Sequence, residues 1–418
     1  MAEQAINPMA VLKIMTPAAF RSAVVVVGAA LALTSACSSG VSTNATSDSR
    51  VWNELNGVAC AGTSLCFAVG DHFDFVQTAP FKNYRTLIQR WNGSSWSLKS
   101  SPNAVGDNRL AKVSCVNASH CVAVGSVAAN AQDWKALIEE WNGTAWSTVA
   151  PPEIGGSLRS LLSDVSCFGA SLCFAVGEYT TDANGFSLVE EWTGSSWHVV
   201  PSPHTGVLKA VTCASSSLCF ALGVDSFRRG SGLVDEVIIE TWNGFSWTTD
   251  TFPQLGLGEL DGIGCAGPSL CFAAGYGGAS DGSNSQPLIE RWNGLSWATI
   301  KSPPSSPIDS LYGKPIGNRL SRVNCLSGSL CLATGNRYSV HGADQLIQRW
   351  NGLSWEIDSL PKISNSPTPN HTLADVVCAT RTICFAVGSN NDYGDVRTLV
   401  ERWNGSTWSV AESPNFHA

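Results

Sequence analysis

Residues 110–125 read LAKVSCVNASHCVAVG, and residues 136–149 read ALIEEWNGTAWSTV. The first stretch holds Cys115 and Cys121 with five residues between them. The second holds Trp141-Asn142-Gly143-Thr144-Ala145-Trp146. Both signatures recur. Cys-x5-Cys pairs stand at 60/66, 115/121, 167/173, 213/219, 265/271, 325/331 and 378/384. Each pair is followed by Trp-(Asn/Thr)-Gly-x-x-Trp, at 91/96, 141/146, 192/197, 242/247, 292/297, 350/355 and 403/408. Successive first cysteines lie 46 to 60 residues apart. Two signatures kept in step seven times define a repeat.

Within one unit the pattern predicts four short strands. Strand a, typified by Leu110 to Cys115, alternates its faces with period two. Strand b, typified by Cys173 to Gly177, ends on Gly in every unit, and strand c is typified by Leu288 to Trp292. Strand d starts at the second Trp, as in Trp197 to Val200, and stops at prolines such as Pro201 and Pro203, which cannot donate to a ladder. No helical periodicity follows residue 50. Four strands per repeat of this length suit propeller blades. The expected fold is all-β: a seven-bladed β-propeller of four-stranded antiparallel blades with one disulfide per blade. The blades fall at approximately 51–104, 105–155, 156–204, 205–254, 255–306, 307–366 and 367–418.

The order strand a, strand b ending in Gly, strand c and Trp-led strand d resembles the kelch-type propeller, the architecture of the galactose-oxidase central domain. The resemblance covers about 51–418. Kelch blades carry Gly-Gly where this chain has Val69-Gly70, Val124-Gly125, Leu222-Gly223 and Thr334-Gly335, and they lack the cysteine pairs. No residue set here aligns with the copper-radical site, so the resemblance implies a scaffold and not that activity. Such scaffolds serve both binding proteins and enzymes.

Fifteen cysteines beside three methionines point to an oxidising compartment. The expected disulfides are Cys60–Cys66, Cys115–Cys121, Cys167–Cys173, Cys213–Cys219, Cys265–Cys271, Cys325–Cys331 and Cys378–Cys384, each closing an a–b hairpin. Such a small ring is worth about 2 kcal/mol by loop closure. The spacing fits neither structural zinc nor a catalytic dithiol, and no metal or cofactor is expected. The repeat tryptophans read as core. The Asn-Gly of the c–d connection reads as a tight turn rather than a glycosylation site. The Glu or Gln in mid-strand c of every unit (Gln89, Glu139, Glu190, Glu240, Glu290, Gln348, Glu401) reads as a hydrogen-bonding group between blades.

The remaining cysteine, Cys37, belongs to the N-terminal segment. Lys13 and Arg21 precede the apolar run Ala23 to Leu33, and then Thr34-Ser35-Ala36-Cys37. A basic region, a short apolar run and small residues make an export signal, too short for a comfortable membrane span. With its cysteine the segment resembles a bacterial lipoprotein signal. The resemblance implies that 1–37 is a signal with a lipobox-like end and that Cys37 is lipidated. Cleavage after Ala36, giving a secreted protein, is the alternative. Residues 38–50 (SSGVSTNATSDSR) read as a flexible tether.

With 14% charged residues, net charge −8 and no Lys/Arg cluster, the chain lacks the basic face that nucleic acid requires. A basic membrane-binding surface is absent too, so the membrane is expected to be met through the lipid anchor alone, by a monomer. No nucleophile, phosphate-loop or metal motif occurs. The a–b and c–d connections are short and uniform; b–c and d–a are long and variable, and share one face. All six tyrosines fall there: Tyr84, Tyr179, Tyr276, Tyr312, Tyr338 and Tyr393, with Trp134 and Arg337. Tyr, Trp and Arg dominate binding hot spots, which makes these eight the candidate ligand-binding residues, with no catalytic residue assigned. The expected function is a non-catalytic cell-envelope module that binds a glycan, peptide or protein. The rivals are a carbohydrate-active hydrolase or lyase, using pairs such as Asp71 with Asp392 or Glu178 with Asp182, and an inert structural element of the envelope.

Overall fold

The computed structural model of the chain describes residues 51–74, 84–128, 133–182, 184–229, 232–250, 258–278, 285–303, 317–339, 342–366, 368–392 and 394–416. The signal, Cys37, the tether, Tyr312 and Tyr393 lie outside them. The first repeat consists of β1 (Val51–Gly62), β2 (Leu65–Asp74), β3 (Arg85–Trp91) and β4 (Trp96–Lys99), an antiparallel sheet in chain order. The same a-b-c-d sheet follows six more times. The second to sixth repeats form separate four-stranded sheets. The first and seventh join through one parallel bridge, Trp52 opposite Val396.

Each strand a packs on strand a of the repeats before and after it, and that of the seventh (His371–Thr380) packs on β1. The a strands therefore surround an axis and the sheets radiate from it. Among the described residues seven apolar cores lie between successive sheets, the one between seventh and first included (Leu55, Val58, Trp91, Trp96 with Phe385, Val387, Val400).

The repeat signatures build these cores. In every repeat the two cysteines face each other across strands a and b and are disulfide-bonded, Cα atoms 3.9–4.1 Å apart. The first Trp caps the same hairpin: its indole N–H donates to a carbonyl of the a–b turn in all seven, Trp91 to Thr63 at 3.1 Å for example. The two tryptophans of a repeat lie 5.6–5.9 Å apart. At five junctions a strand-b Phe of the preceding repeat packs against both, as Phe67 does against Trp141 and Trp146, each at 5.0 Å; Val122 and Leu332 hold that position in the second and sixth repeats. In six repeats the c–d turn is an Asx turn, as where Asn92 Oδ1 accepts from the backbone N–H of Ser94 and Ser95 and Gly93 supplies φ +100°; the third has Thr193 there.

One expectation needs correcting. Strand b does not end on its glycine. In the third repeat it runs from Cys173 to Thr180, and in the fourth from Leu218 to Arg229, with strand c resuming at Gly185 and Gly232. The glycine sits opposite a bulge in strand a: Leu55 pairs with Gly70, Gly57 with Val69, and Asn56 is the extra residue. A Cβ on Gly70 would collide with the Glu54 carbonyl oxygen, and the equivalent carbonyl stands against each of the other six glycines. Lack of space, not chain termination, selects Gly there. The b–c connections are thus partly extended hairpins, and the tyrosines sit on their strands.

The ring closes through the C-terminus as well. Asn53 and Phe416 exchange two hydrogen bonds (2.9 and 3.2 Å), and the Phe416 ring stacks on His72 at 4.0 Å. Buried Gln89 donates to the Pro414 carbonyl and accepts from Ser413.

Candidate functional site

Strand a enters from the end of the ring where the b–c hairpins and d–a linkers gather. The residue before its invariant Leu is Glu54, Arg109, Leu161, Val207, Glu259, Arg319 or Thr372, in order of repeat. This position lies next to the glycine layer, on the side of the axial mouth. Two of its members assemble aromatic clusters. The Arg109 guanidinium stands over the Tyr84 ring at 3.6 Å and the Trp134 ring at 5.5 Å. The Arg319 guanidinium stands over Tyr276 at 4.1 Å and Tyr338 at 5.9 Å. Such contacts hold a cation against a π face while leaving part of its donor fork free.

The second cluster carries further charge. Tyr276 donates its phenolic O–H to Glu259, and Glu259 is paired with Lys209, which also binds Asp261 at 2.9 Å. Burial alone would raise the Glu259 carboxyl, yet Lys209 outweighs it and holds the pKa below its ordinary value. Burial likewise works against the Lys209 ammonium; Asp261 and Glu259 more than offset it and hold its pKa up. Tyr276 is pushed up, first by burial and then by its bond to Glu259, so the phenol keeps its proton.

The other candidates are placed as follows. Tyr84 is buried, its ring edge-on to Phe73 at 4.6 Å. Tyr179 is half-buried and stacks on Phe186 at 5.1 Å. Arg337 is held by the Gln345 carbonyl (3.1 Å) and Asp344 (3.4 Å). The structure brings Tyr84 and Trp134 together, and Tyr276 and Tyr338 together, each pair around an arginine. Arg109, Arg319, Glu259 and Lys209 were not singled out by the sequence. Their signal was the strand-a register, legible once the seven repeats are aligned on their Leu.

The carboxylate pairs proposed for catalysis have other partners. Asp71 is buried and accepts from Asn56 at 3.2 Å. Asp392 binds His371 Nε2 at 3.2 Å, and Ser364 Oγ stands 3.4 Å from that same nitrogen. A hydroxyl and a carboxylate sharing one ring nitrogen do not form a nucleophile relay, which needs opposite nitrogens. Glu178 is raised by burial, opposed by Arg159. Among the described residues no three His, Cys, Asp or Glu side chains gather to hold a metal, and no helix is long and apolar enough to cross a membrane.

Below the mouth the axis is closed by charge. Lys112 reaches across Gly57 of the first repeat to Asp375 of the seventh at 2.9 Å, and both side chains are almost wholly buried. Burial, reinforced by Arg322 and opposed by Asp375, lowers Lys112 to about 8. Asp164 is raised by burial and accepts from the Val211 N–H at 3.0 Å.

No family model matches the chain, and no curated protein matches it. Solved structures do. The β-propeller domain of the Trilobed protease from Pyrococcus furiosus, described as having an open velcro topology, is 10% identical with TM-score 0.51, over 87% of this chain and 96% of that one. A PL25 ulvan lyase bound to -[GlcA(1-4)Rha3S]- is 9% identical with TM-score 0.52, over 87% and 96%. Sqt1 of Chaetomium thermophilum bound to the N-terminus of ribosomal protein L10 is 11% identical with TM-score 0.46, over 86% and 86%. Identities this low speak to fold alone. The radial four-stranded sheets and the likeness to the Trilobed protease domain make the chain a β-propeller. Its seven disulfides mark an oxidising, extracytoplasmic setting.

Proposed function

We propose that the chain is a seven-bladed propeller of the bacterial cell envelope, anchored through lipidated Cys37, whose b–c/d–a face binds a glycan, peptide or envelope protein. The observation that carries this reading is the pair of arginine–aromatic clusters at one register position, Arg109 with Tyr84 and Trp134, and Arg319 with Tyr276 and Tyr338. An arginine backed by aromatic rings offers a planar donor fork for carboxylate or hydroxyl groups and a flat apolar wall for a sugar ring or side chain. In this reading Tyr84 positions Arg109 from below, while Trp134, Tyr179, Tyr276 and Tyr338 contribute surface.

The rival reading, a carbohydrate-active hydrolase or lyase, draws on the Glu259–Tyr276 bond beside Lys209 and Arg319, a set able to hold and move a proton. One screen separates the two. The protein is incubated with a panel of acidic and neutral polysaccharides and cell-wall peptides, with binding and chain cleavage read in parallel. Binding without cleavage, weakened by Tyr276→Ala, Tyr338→Ala or Tyr179→Ala in a folded protein, supports the module. Unaltered binding by all three variants refutes the proposed face, and turnover favours the rival.

A further inference from the structure

The opposite face of the ring, made of a–b and c–d turns, carries an arc that the proposed function leaves unused. At the third position of the c–d turn the first, third and seventh repeats have Ser94, Ser195 and Ser406. The fourth, fifth and sixth have Phe245, Leu295 and Leu353 instead, exposed to 92%, 88% and 90%. Three adjacent blades thus raise a bulky apolar side chain from the same turn, on the same face.

Exposure this complete means that the three side chains bury none of one another. They are separate spikes, with no continuous apolar patch between them, whereas a protein partner needs a contiguous, well-packed core. A lipid interface can enclose each spike separately. The ground between them suits such a solvent: the a–b turns of these repeats are Ala214-Ser215-Ser216-Ser217, Ala266-Gly267-Pro268-Ser269 and Leu326-Ser327-Gly328-Ser329. No Asp, Glu, Lys or Arg occurs in any of these six turns; of the charged groups that reach them, Arg381 adds a cation over Ser327 and Ser329, and Glu356 beside Asn351 is paired with Arg349.

Beside Leu353 a cleft of about 340 Å³ opens between the fifth and sixth blades, lined by Arg291, Ile300, Lys301, Trp350, Leu353 and Trp355. Arg291 stands 5.8 Å from the Trp350 ring, Lys301 is exposed, and neither has an ion-pair partner among the described residues. Two unneutralised cations flanking an apolar spike complement an anionic headgroup.

We propose that this face docks on an anionic lipid bilayer, with Phe245, Leu295 and Leu353 entering the headgroup–acyl boundary and Arg291 and Lys301 meeting lipid phosphates. The opposite, ligand-binding face then points away from the bilayer. The surface is additional to any lipid on Cys37.

Hydrogen exchange of the full chain tests this, because its readout is local and does not depend on what the N-terminal segment does. Exchange is followed on phosphatidylglycerol vesicles, on phosphatidylcholine vesicles, and without vesicles at rising protein concentration. The expected result is slowing by about 5-fold or more at 243–247, 293–297 and 351–355 on phosphatidylglycerol, with 92–96, 142–146 and 404–408 unchanged. The triple variant Phe245→Ser, Leu295→Ser, Leu353→Ser keeps the turn used by three other blades, so it folds. It should lose that protection, with vesicle partition weakened about 10-fold or more. Equal protection of all seven turns, or of none, overturns the proposal. Equal protection on both lipids overturns the anionic assignment. Protection that grows with protein concentration in the absence of vesicles overturns the bilayer in favour of a second copy of the chain.

Discussion

Glu190 offers the most direct test of how the blades are joined. It is one of the seven mid-strand-c residues, all wholly buried. In four junctions the serine five residues after the second Trp of one repeat bonds to this group in the next: Ser101 to Glu139, Ser202 to Glu240, Ser302 to Gln348 and Ser413 to Gln89. Gln345 serves Glu401 in a fifth, at 2.8 Å. At Glu190 the serine position holds Pro151, and neither carboxyl oxygen has a hydrogen-bond partner. Burial pushes Glu190 up to about 8. The folded protein therefore keeps this proton at pH 7 while the unfolded chain has released it. The linkage sign follows: N binds more protons than U between about pH 4.5 and 8, so stability is complete below that window and falls as pH rises through it. Glu190→Gln removes the titration. Relative to wild type it should gain about 3 kcal/mol at pH 7, from roughly 2.5 pH units at about 1.36 kcal/mol each, and close to nothing at pH 4.5. For a domain of this length that is a Tm rise of about 4 °C. Thermal unfolding of both proteins from pH 4.5 to 8.5 measures the difference, which should widen by about 1.4 kcal/mol per pH unit and flatten above 8. Pro151→Ser, which restores the donor seen at the other junctions, should recover part of the gain at pH 8. A difference that does not vary with pH would refute the claim that Glu190 is protonated in the fold.

Two further outcomes concern the scaffold. Gly275→Ala should destabilise by about 3 kcal/mol or more, because its Cβ would collide with the Glu259 carbonyl, whereas Gly277→Ala, two residues along the same strand, meets only Leu288 Cδ2 at 4.0 Å and should cost about 1 kcal/mol or less; equal Tm losses would contradict the bulge argument. Deleting 413–418 strips Gln89 and Asn53 of their partners, and should cost about 3–5 kcal/mol while speeding hydrogen exchange at 51–58 and 395–400 ahead of the other repeats; uniform exchange would show that the tail is not the closing element.

The scaffold was legible because its devices recur. Seven cysteine pairs, seven Trp-Asn/Thr-Gly turns and seven strand-c Glu/Gln residues fix strand number, hairpin pairing and the inter-blade hydrogen bond without reference to coordinates. The Glu/Gln interchange has a physical basis: with Glu139, Glu190, Glu240 and Glu401 raised by burial to about 7–8, the acid is a neutral group like the amide. The strand-b glycine was misread because its requirement comes from a carbonyl in another strand, opposite a bulge that no sequence spacing announces. The tail that closes the ring lies after the last Trp signature. Yet Ser413 stands five residues after Trp408, as Ser101 stands after Trp96, so the seventh linker carried the same signal as the first.

The candidate site was only half legible, for a topological reason. Tyrosines can be located in the hairpins from one repeat alone, but the arginines over Tyr84 and Tyr276 come from the next repeat: Tyr84 belongs to the first and Arg109 to the second, Tyr276 to the fifth and Arg319 to the sixth. The bulge that demands glycine in strand b also inserts the residue whose side chain reaches the neighbouring blade, Asn56 to the Leu110 carbonyl and Lys209 to Asp261. One position further, the same irregularity brings Gly57, Lys112, Asp164, Ala210, Gly262, Arg322 and Asp375 round the axis, where Lys112 and Asp375 pair out of water. Removing one member of a buried pair typically costs about 3–5 kcal/mol, so Lys112 and Asp375 hold each other in place at this level of the axis. In the proposed reading the ligand is met at the mouth above it, where Arg109 and Arg319 are held from the side by aromatic rings. Under that proposal, selectivity would come from the two blade pairs that break the sevenfold pattern.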